Sequence, residues 1–205
     1  MFIRPARAGD RDRLYEVCLR TGASGQDATT RYADPLLPGH VYVGPYLALE
    51  PDLAFVLDED GDATGYVLGA RDTIEFERRC EQDWWPTLRK RYPDPPVGRS
   101  WTPDESLCHL IHHPPSTDPA VAADYPAHLH VDLLPRAQGS GNGRRLVEHL
   151  LSHLRAVGVH GVHLGVGAEN ERAIGFYHHL GLRTVRREPG ALLMGMRFTP
   201  RTSEA

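Results

Sequence analysis

The sequence predicts an α/β fold, a sheet of six to seven strands flanked by helices, on three observations. Two apolar runs, Leu53 to Leu57 and Tyr66 to Leu68, flank the turn-rich Asp58 to Asp62 and read as a hairpin. From residue 128 onward, strand-like and amphipathic helical stretches alternate regularly. Between the first such strand and helix, "RAQGSGNGRRLVEHL" sets three glycines at alternate positions.

In chain order, "MFIRPARAGDRDRLYEVCLRTG" gives a short strand, a turn at Gly9-Asp10 and a helix ended by Thr21-Gly22. Leu14, Val17 and Cys18 stand at i, i+3 and i+4 of that helix, which makes Cys18 a core residue rather than a nucleophile. Residues 22 to 52 carry glycines, prolines and tyrosines without a period and read as an ordered, irregular segment. The hairpin follows, then "TIEFERRCEQDWWPTLRKRYP", a helix that Pro86 kinks or ends. Residues 86 to 126 hold more than half of the 17 prolines and read as an insertion, with "ESLCHLIHHPP" a candidate strand and "DPAVAADYP" a short helix. After it come strand 128 to 134, the glycine loop and a helix burying Leu146, Val147, Leu150, Leu151 and Leu154. Strand "GVHLGV", helix "ENERAIGFYHHLG" and strands near Leu182 to Arg186 and Leu192 to Phe198 complete the chain.

Composition narrows the function classes. At 205 residues, 40% hydrophobic, the chain is expected to be one domain, 1–205, with the insertion at about 86–126. Net charge −4 gives no general attraction to nucleic acid, and no stripe of basic residues with interleaved aromatics is present. No apolar run approaches the roughly 20 residues of a membrane span. Cys18, Cys80 and Cys108 have no paired spacing and no signal peptide precedes them, so a cytoplasmic protein with reduced thiols is expected.

Three glycines between a strand and a helix suit an anion, because exposed N–H groups and a helix N-terminus both favour negative charge. The dinucleotide pattern Gly-x-Gly-x-x-Gly fails, since Gly139 and Gly141 are followed by Arg144 where the third glycine belongs. The triphosphate loop fails as well: it requires Gly-Lys-Ser/Thr, and Lys90 is the only lysine. What remains, Gln138-x-x-Gly141-x-Gly143, resembles the Gln/Arg-x-x-Gly-x-Gly/Ala pyrophosphate loop of the GNAT acetyltransferase superfamily. In "NERAIGFYHHLGL", the string Asn-x-x-Ala-x-x-Phe-Tyr-x-x-Leu-Gly is similar to the second cofactor motif of the same superfamily, and Asn170, Ala173 and Tyr177 share a helix face. A narrower resemblance, carried by "GQDATTRYADPLLPGHVYVGPY", "IHHPP" and "YPAHLHVDLLPRAQGSG", is to bacterial relatives of the acetyltransferase-like domain of O-GlcNAcase.

The resemblance implies a GNAT fold, a mixed and mostly antiparallel sheet in which strands 128–134 and 162–167 start side by side and splay apart. It implies acetyl-CoA as co-substrate. Backbone groups freed by the splay, around Leu133 and Leu134, would bond the pantetheine arm. Gln138, Gly139, Ser140, Gly141, Asn142 and Gly143, with Arg144, would take the pyrophosphate, and Asn170, Ala173, Phe176 and Tyr177 would also bind the cofactor, with Tyr177 near the sulfur. The acceptor would be an amine, of a small molecule or a protein lysine, with Asp27, Tyr32, Tyr42, Tyr46 and Trp101 as candidate pocket residues; a homodimer is compatible with this reading.

Amine acetylation requires a neutral amine, a donor for the developing oxyanion and a proton for the leaving thiolate. Backbone N–H groups near Leu133 serve the oxyanion, and Tyr177 is the candidate acid. Alternation in "HLHVDLL" puts His128, His130, Asp132 and Leu134 on one strand face, so Asp132 is the favoured base, directly or through water, with His130 second. A structural role for Asp132 stays open. His128-x-His130 and His112-His113 offer imidazoles, but no recognised metal-ligand spacing accompanies them, and no metal is expected. Two readings of function remain: an N-acetyltransferase, or a non-catalytic domain of the same fold that binds the coenzyme or serves regulation.

Overall fold

A computed structural model describes residues 1–198. Seven strands form one sheet: β1 (Phe2–Pro5), β2 (Ala54–Glu59), β3 (Asp62–Ala70), β4 (Ala127–Leu133), β5 (Gly161–Gly167), β6 (Arg183–Glu188) and β7 (Ala191–Arg197). Their spatial order is β1-β2-β3-β4-β5-β7-β6, and every neighbouring pair is antiparallel except β4 and β5. The predicted mixed, mostly antiparallel sheet is therefore present.

The hairpin is closed by Asp60-Gly61, both at positive φ (55° and 90°), between the paired Glu59 and Asp62. Two residues in the left-handed region match the twist of the flanking strands, so the turn fixes the register of β2 on β3. The Asp58 carboxylate accepts from Gly61 N–H at 2.7 Å and from Arg4 Nε at 2.7 Å, which ties β1 to the turn.

Two helical layers cover the sheet. On one face α8 (Asn142–Ala156) buries Leu146, Val147, Leu150, Leu151 and Leu154 beside α9 (Glu171–His179), as the heptad-like spacing predicts. On the other, α1 (Arg11–Thr21) packs Leu14, Tyr15, Val17 and Cys18 on Val56, Tyr66 and Leu68. Cys18 is a core residue, as its spacing predicts.

Residues 22 to 52 are more regular than expected. They hold α2 (Leu37–Tyr42) and α3 (Gly44–Leu49), each with a proline in its first turn, where a missing N–H costs nothing. Gly39 and Gly44 sit where a Cβ would come within 2.4 Å of Tyr15. Those glycines permit close helix contact rather than marking loops, which is why the segment carries no visible period.

The expected helix through Pro86 is α4 (Thr73–Arg79), a π turn at Cys80–Trp84 and α5 (Trp85–Arg91). The wide turn removes the clash a proline ring makes with the preceding carbonyls, so the chain stays helical across Pro86. "ESLCHLIHHPP" is not a strand. It lies in α6 (Pro103–His112), opened by a capping box in which Thr102 Oγ1 accepts from Glu105 N–H and the Glu105 carboxylate accepts from Thr102 N–H. Leu107, Cys108 and Ile111 at i, i+1 and i+4 bury against Leu88, Tyr92 and Trp85. The short helix in "DPAVAADYP" forms as α7 (Pro119–Asp124).

Candidate active site

The parallel pair is where the sheet opens. β4 meets β5 only at Ala127–Val162 and His128–His163, while its ladder with β3 runs on to Leu133 opposite Gly65. Leu134 N–H donates to Thr64 O at 2.9 Å, so even-numbered residues of β4 bond β3. By strand alternation, the N–H and C=O groups of Leu129, Val131 and Leu133 point the other way, into the gap. Gln138 Nε2 donates to Leu133 O at 2.8 Å, which is the direction this alternation requires.

The glycine loop closes the wide end of the gap. Gly139 and Gly141 have φ of +85° and +76°, and a Cβ built on either would meet nothing within 4 Å. The loop is therefore glycine-rich on backbone grounds, and its outer side is open for a ligand. Gly141 caps α8 with Ser140 exposed beside it. Asn142 turns inward: its Nδ2 donates to Ala137 O at 3.0 Å and its Oδ1 accepts from Arg145, so it knots the loop and offers outward only its backbone N–H. Gly143 has its own reason, a Cβ there lying 3.3 Å from the Phe176 ring. Arg144 is exposed and reaches Glu148 and the His179 carbonyl.

On α9, Asn170 Oδ1 accepts from Ala173 N–H at 3.1 Å as the helix cap. Phe176 packs toward Gly143 and the β4 core face, and Tyr177 is buried beside it. Burial pushes the Tyr177 phenol above its ordinary range, and the negative Asp132 carboxylate adds to the rise. That coupling reaches across the gap, since Asp132 stands on the opposite sheet face.

Asp132 belongs to a compact cluster on that face. Tyr66 Oη donates to Asp132 Oδ2 at 2.6 Å and lies 3.1 Å from His130 Nε2, which is itself 3.1 Å from Asp132 Oδ2. Cys18 completes the group: one ligating atom each from Cys18, His130 and Asp132 fall within 4.8 Å of one another. Burial raises the Cys18 thiol strongly, so it remains protonated and inert. Burial likewise raises Tyr66 well above the usual range, with Asp132 second, and it stays a donor.

His128, two residues back, is neutral. Thr73 Oγ1 donates to Pro126 O, so at 2.8 Å from His128 Nδ1 it must accept; Tyr46 Oη, 2.8 Å from Nε2, then donates. Burial lowers His128 to about 3, with His163 and then His130 adding to the fall. Tyr42, itself partly open to solvent, stacks on His130 with ring centroids 5.9 Å apart. Tyr42 and Tyr46 also wall a cavity of about 390 Å³ with Phe76, Trp85 and Leu110, and with Glu77 at its edge. Tyr32 joins the same core region and is raised by burial.

Two residues expected in the acceptor pocket stand elsewhere. Asp27 is exposed and accepts from Thr29 N–H at 2.8 Å, a local turn. Trp101 lies on His109 at 4.3 Å and donates to Pro96 O, within a separate surface group. Tyr66 was legible only as an apolar strand residue; its role depends on facing Asp132 in the β3–β4 register, which no local pattern states.

A mixed sheet opened at one parallel pair, with a glycine loop starting a helix at the opening, defines an acetyltransferase-type α/β protein. The acetyltransferase (GNAT) family matches residues 26–182, and the chain belongs to that family. It is 26% identical over 189 residues to protein O-GlcNAcase of Rattus norvegicus, covering 92% of this chain and 20% of that protein, so it spans about a fifth of that relative's length. It is 30% identical over 117 residues to mycothiol acetyltransferase of Paenarthrobacter aurescens, covering 55% of this chain and 33% of the relative. Among solved structures, SsHAT superposes with a TM-score of 0.88 at 39% identity, over 96% of this chain and 97% of that one. The fold is also that of yncA from Salmonella typhimurium, solved with its cofactor acetyl-CoA, with a TM-score of 0.57 at 18% identity over 100% and 98% of the two chains. Among the described residues no helix is long and apolar enough to cross a membrane.

Proposed function

We propose that the chain is an acetyl-CoA-dependent N-acetyltransferase of the cytoplasm that acetylates an amine by direct attack in a ternary complex. The observation that carries this reading is the β4–β5 gap, which has a buried phenol on one side and the Tyr66–His130–Asp132 cluster on the other. The donor fits: the open outer side of Gly139 to Gly141 and the start of α8 suit its pyrophosphate, and the inward-facing N–H groups of Val131 and Leu133 suit its amide arm. When bound it supplies an activated acetyl thioester.

The protein's part is positioning and proton transfer. Leu133 N–H polarises the thioester carbonyl. Asp132, or His130 beside it, takes the ammonium proton, and Tyr66 holds both in place. Tyr177, kept protonated by burial, delivers a proton to the departing sulfur. The amine enters past Tyr42 and Tyr46, whose rings screen the site from water.

A non-catalytic domain of the same fold is the second reading, favoured by the extended similarity to a segment of O-GlcNAcase, a protein named for another activity. Calorimetric titration with acetyl-CoA, followed by assay of free thiol release with a panel of amines, separates the two. Binding with amine-dependent release supports the enzyme; binding with no release from any amine supports the second reading. No binding by the folded chain overturns the enzyme and leaves the second reading in its form without coenzyme.

A further inference from the structure

The helical state of residues 103–112 creates a constellation that a strand would not. His109 and His113 fall one turn apart, with His113 N–H donating to His109 O at 2.8 Å and their rings 4.3 Å apart. Both imidazoles converge on one carboxylate: His109 Nδ1 is 3.2 Å from Asp94 Oδ1, and His113 Nε2 is 2.6 Å from Asp94 Oδ2. His112 points elsewhere, its Nε2 donating to Tyr92 O at 2.7 Å. All three side chains of the group remain partly open to solvent.

We propose that Asp94, His109 and His113 form a zinc site. In a tetrahedral zinc centre with bonds near 2.0–2.1 Å, neighbouring ligand atoms stand about 3.3 Å apart. One ligand atom each from Asp94, His109 and His113 already lie within 4.8 Å of one another, so rotation of partly exposed side chains is enough to bring one carboxylate oxygen and two ring nitrogens to that spacing. Two imidazoles and a carboxylate are ligands of the right hardness for this ion, and water can fill the fourth position. His109 in the last turn of α6 and His113 at its C-cap present two nitrogens from a hydrogen-bonded backbone, so little backbone ordering opposes binding.

The position gives the ion a structural task. Asp94 lies in the irregular stretch between α5 and α6, which the clip would tie to the end of α6, with the Trp101 ring covering His109. Immediately after His113, Pro114, Pro115 and Ser116 line the cavity walled by Tyr42 and Tyr46. Zinc would thus fix one wall of that cavity. This proposal does not depend on the acetyltransferase reading.

The test uses the full chain, chelator-treated and titrated with zinc chloride, then with cobalt(II) as a spectroscopic stand-in. Expected are one equivalent bound, a rise in Tm of about 5–10 °C at a hundredfold excess over Kd, and the visible bands of four-coordinate cobalt without an intense near-ultraviolet thiolate band. His113→Ala and Asp94→Asn should each weaken binding at least tenfold with an unchanged circular dichroism spectrum. His112→Ala should bind like the parent chain. Absence of a stoichiometric site, undiminished binding by a His109→Ala/His113→Ala chain, or a thiolate band pointing to Cys18 would overturn the assignment.

Discussion

Tyr66 donates its hydroxyl proton to Asp132 across directly opposed positions of β3 and β4, at 2.6 Å. The pair is intrasheet, so its geometry is set by strand register and needs no loop to hold it. Tyr66 is fully buried and Asp132 only partly so, which leaves the carboxylate anchored on one side and partly open to solvent. A carboxylate on a strand, fixed by a second strand, is oriented more tightly than one on a flexible loop.

Tyr66→Phe is expected to lower turnover about tenfold while leaving the affinity for acetyl-CoA unchanged, because the ring still fills the α1 core and the cofactor loop is untouched. Loss of one buried hydrogen bond to a charged group should cost about 1.5–3 kcal/mol of stability, measurable by urea unfolding. Equal turnover in the variant would make Tyr66 a packing residue.

The histidines set the acid stability. His128 titrates near 3 when folded against 6.5 unfolded, so between those values the unfolded chain binds more protons and stability falls as pH falls. His163 and His40 are lowered by burial too and act in the same direction. Unfolding free energy is therefore expected to decline below pH 6.5, by up to about 1.4 kcal/mol per pH unit for each such histidine. It is expected to decline again at alkaline pH, where the buried Cys18, Tyr66 and Tyr177 keep protons that the unfolded chain loses. His128→Gln, which keeps a donor and an acceptor for Thr73 and Tyr46, should reduce the acid slope. A slope identical to the parent chain would mean that His128 charges freely in the folded state.

Much of this arrangement was legible before the structure, and the parts that were not share a cause. The glycine loop, α8 and α9 carry local periodicity and spacing, so residues 128 to 198 could be read in order. Leu133 in the gap, Asp132 facing the other layer and Tyr177 buried beneath the opening all follow from strand and helix phase. The cluster of Tyr66, Cys18, His130 and Asp132 depends on which strands are neighbours and in what register, information spread over more than 100 residues of chain. Residues 22 to 52 and α6 were misread for a related reason. Gly39 and Gly44 serve helix contacts with Tyr15, and the adjacent His112 and His113 suggested a pair where the helix joins His109 with His113 instead.

Gly141→Val separates the two demands on the loop. At φ +76° a β-branched residue is strained, so stability should fall by about 1–2 kcal/mol. Its Cβ meets no protein atom within 4 Å and projects into the space assigned to the pyrophosphate, so acetyl-CoA binding should be lost in calorimetry while the chain remains folded. Gly143→Ala makes the opposite comparison: its Cβ presses on Phe176 at 3.3 Å, and it should perturb packing with a smaller effect on affinity. Retained binding in Gly141→Val would remove the loop from the donor site.

Tyr177→Phe tests the acid. The phenol is raised by burial and then by Asp132, so it keeps its proton throughout the range in which the protein is folded and assayed, and no alkaline limb below pH 10 should arise from it. Removing the hydroxyl leaves the ring against Phe176 and the α8 core, so stability and acetyl-CoA affinity should stay near those of the parent chain. Turnover with an accepted amine should fall on the order of 10²-fold or more, the contribution of a positioned general acid. The loss should shrink with a thioester whose leaving thiol is more acidic, since a better leaving group depends less on protonation. A uniform loss across thioesters, or a fall in stability alongside turnover, would show the hydroxyl to be a structural partner within the core and would leave the thiolate to be protonated by solvent.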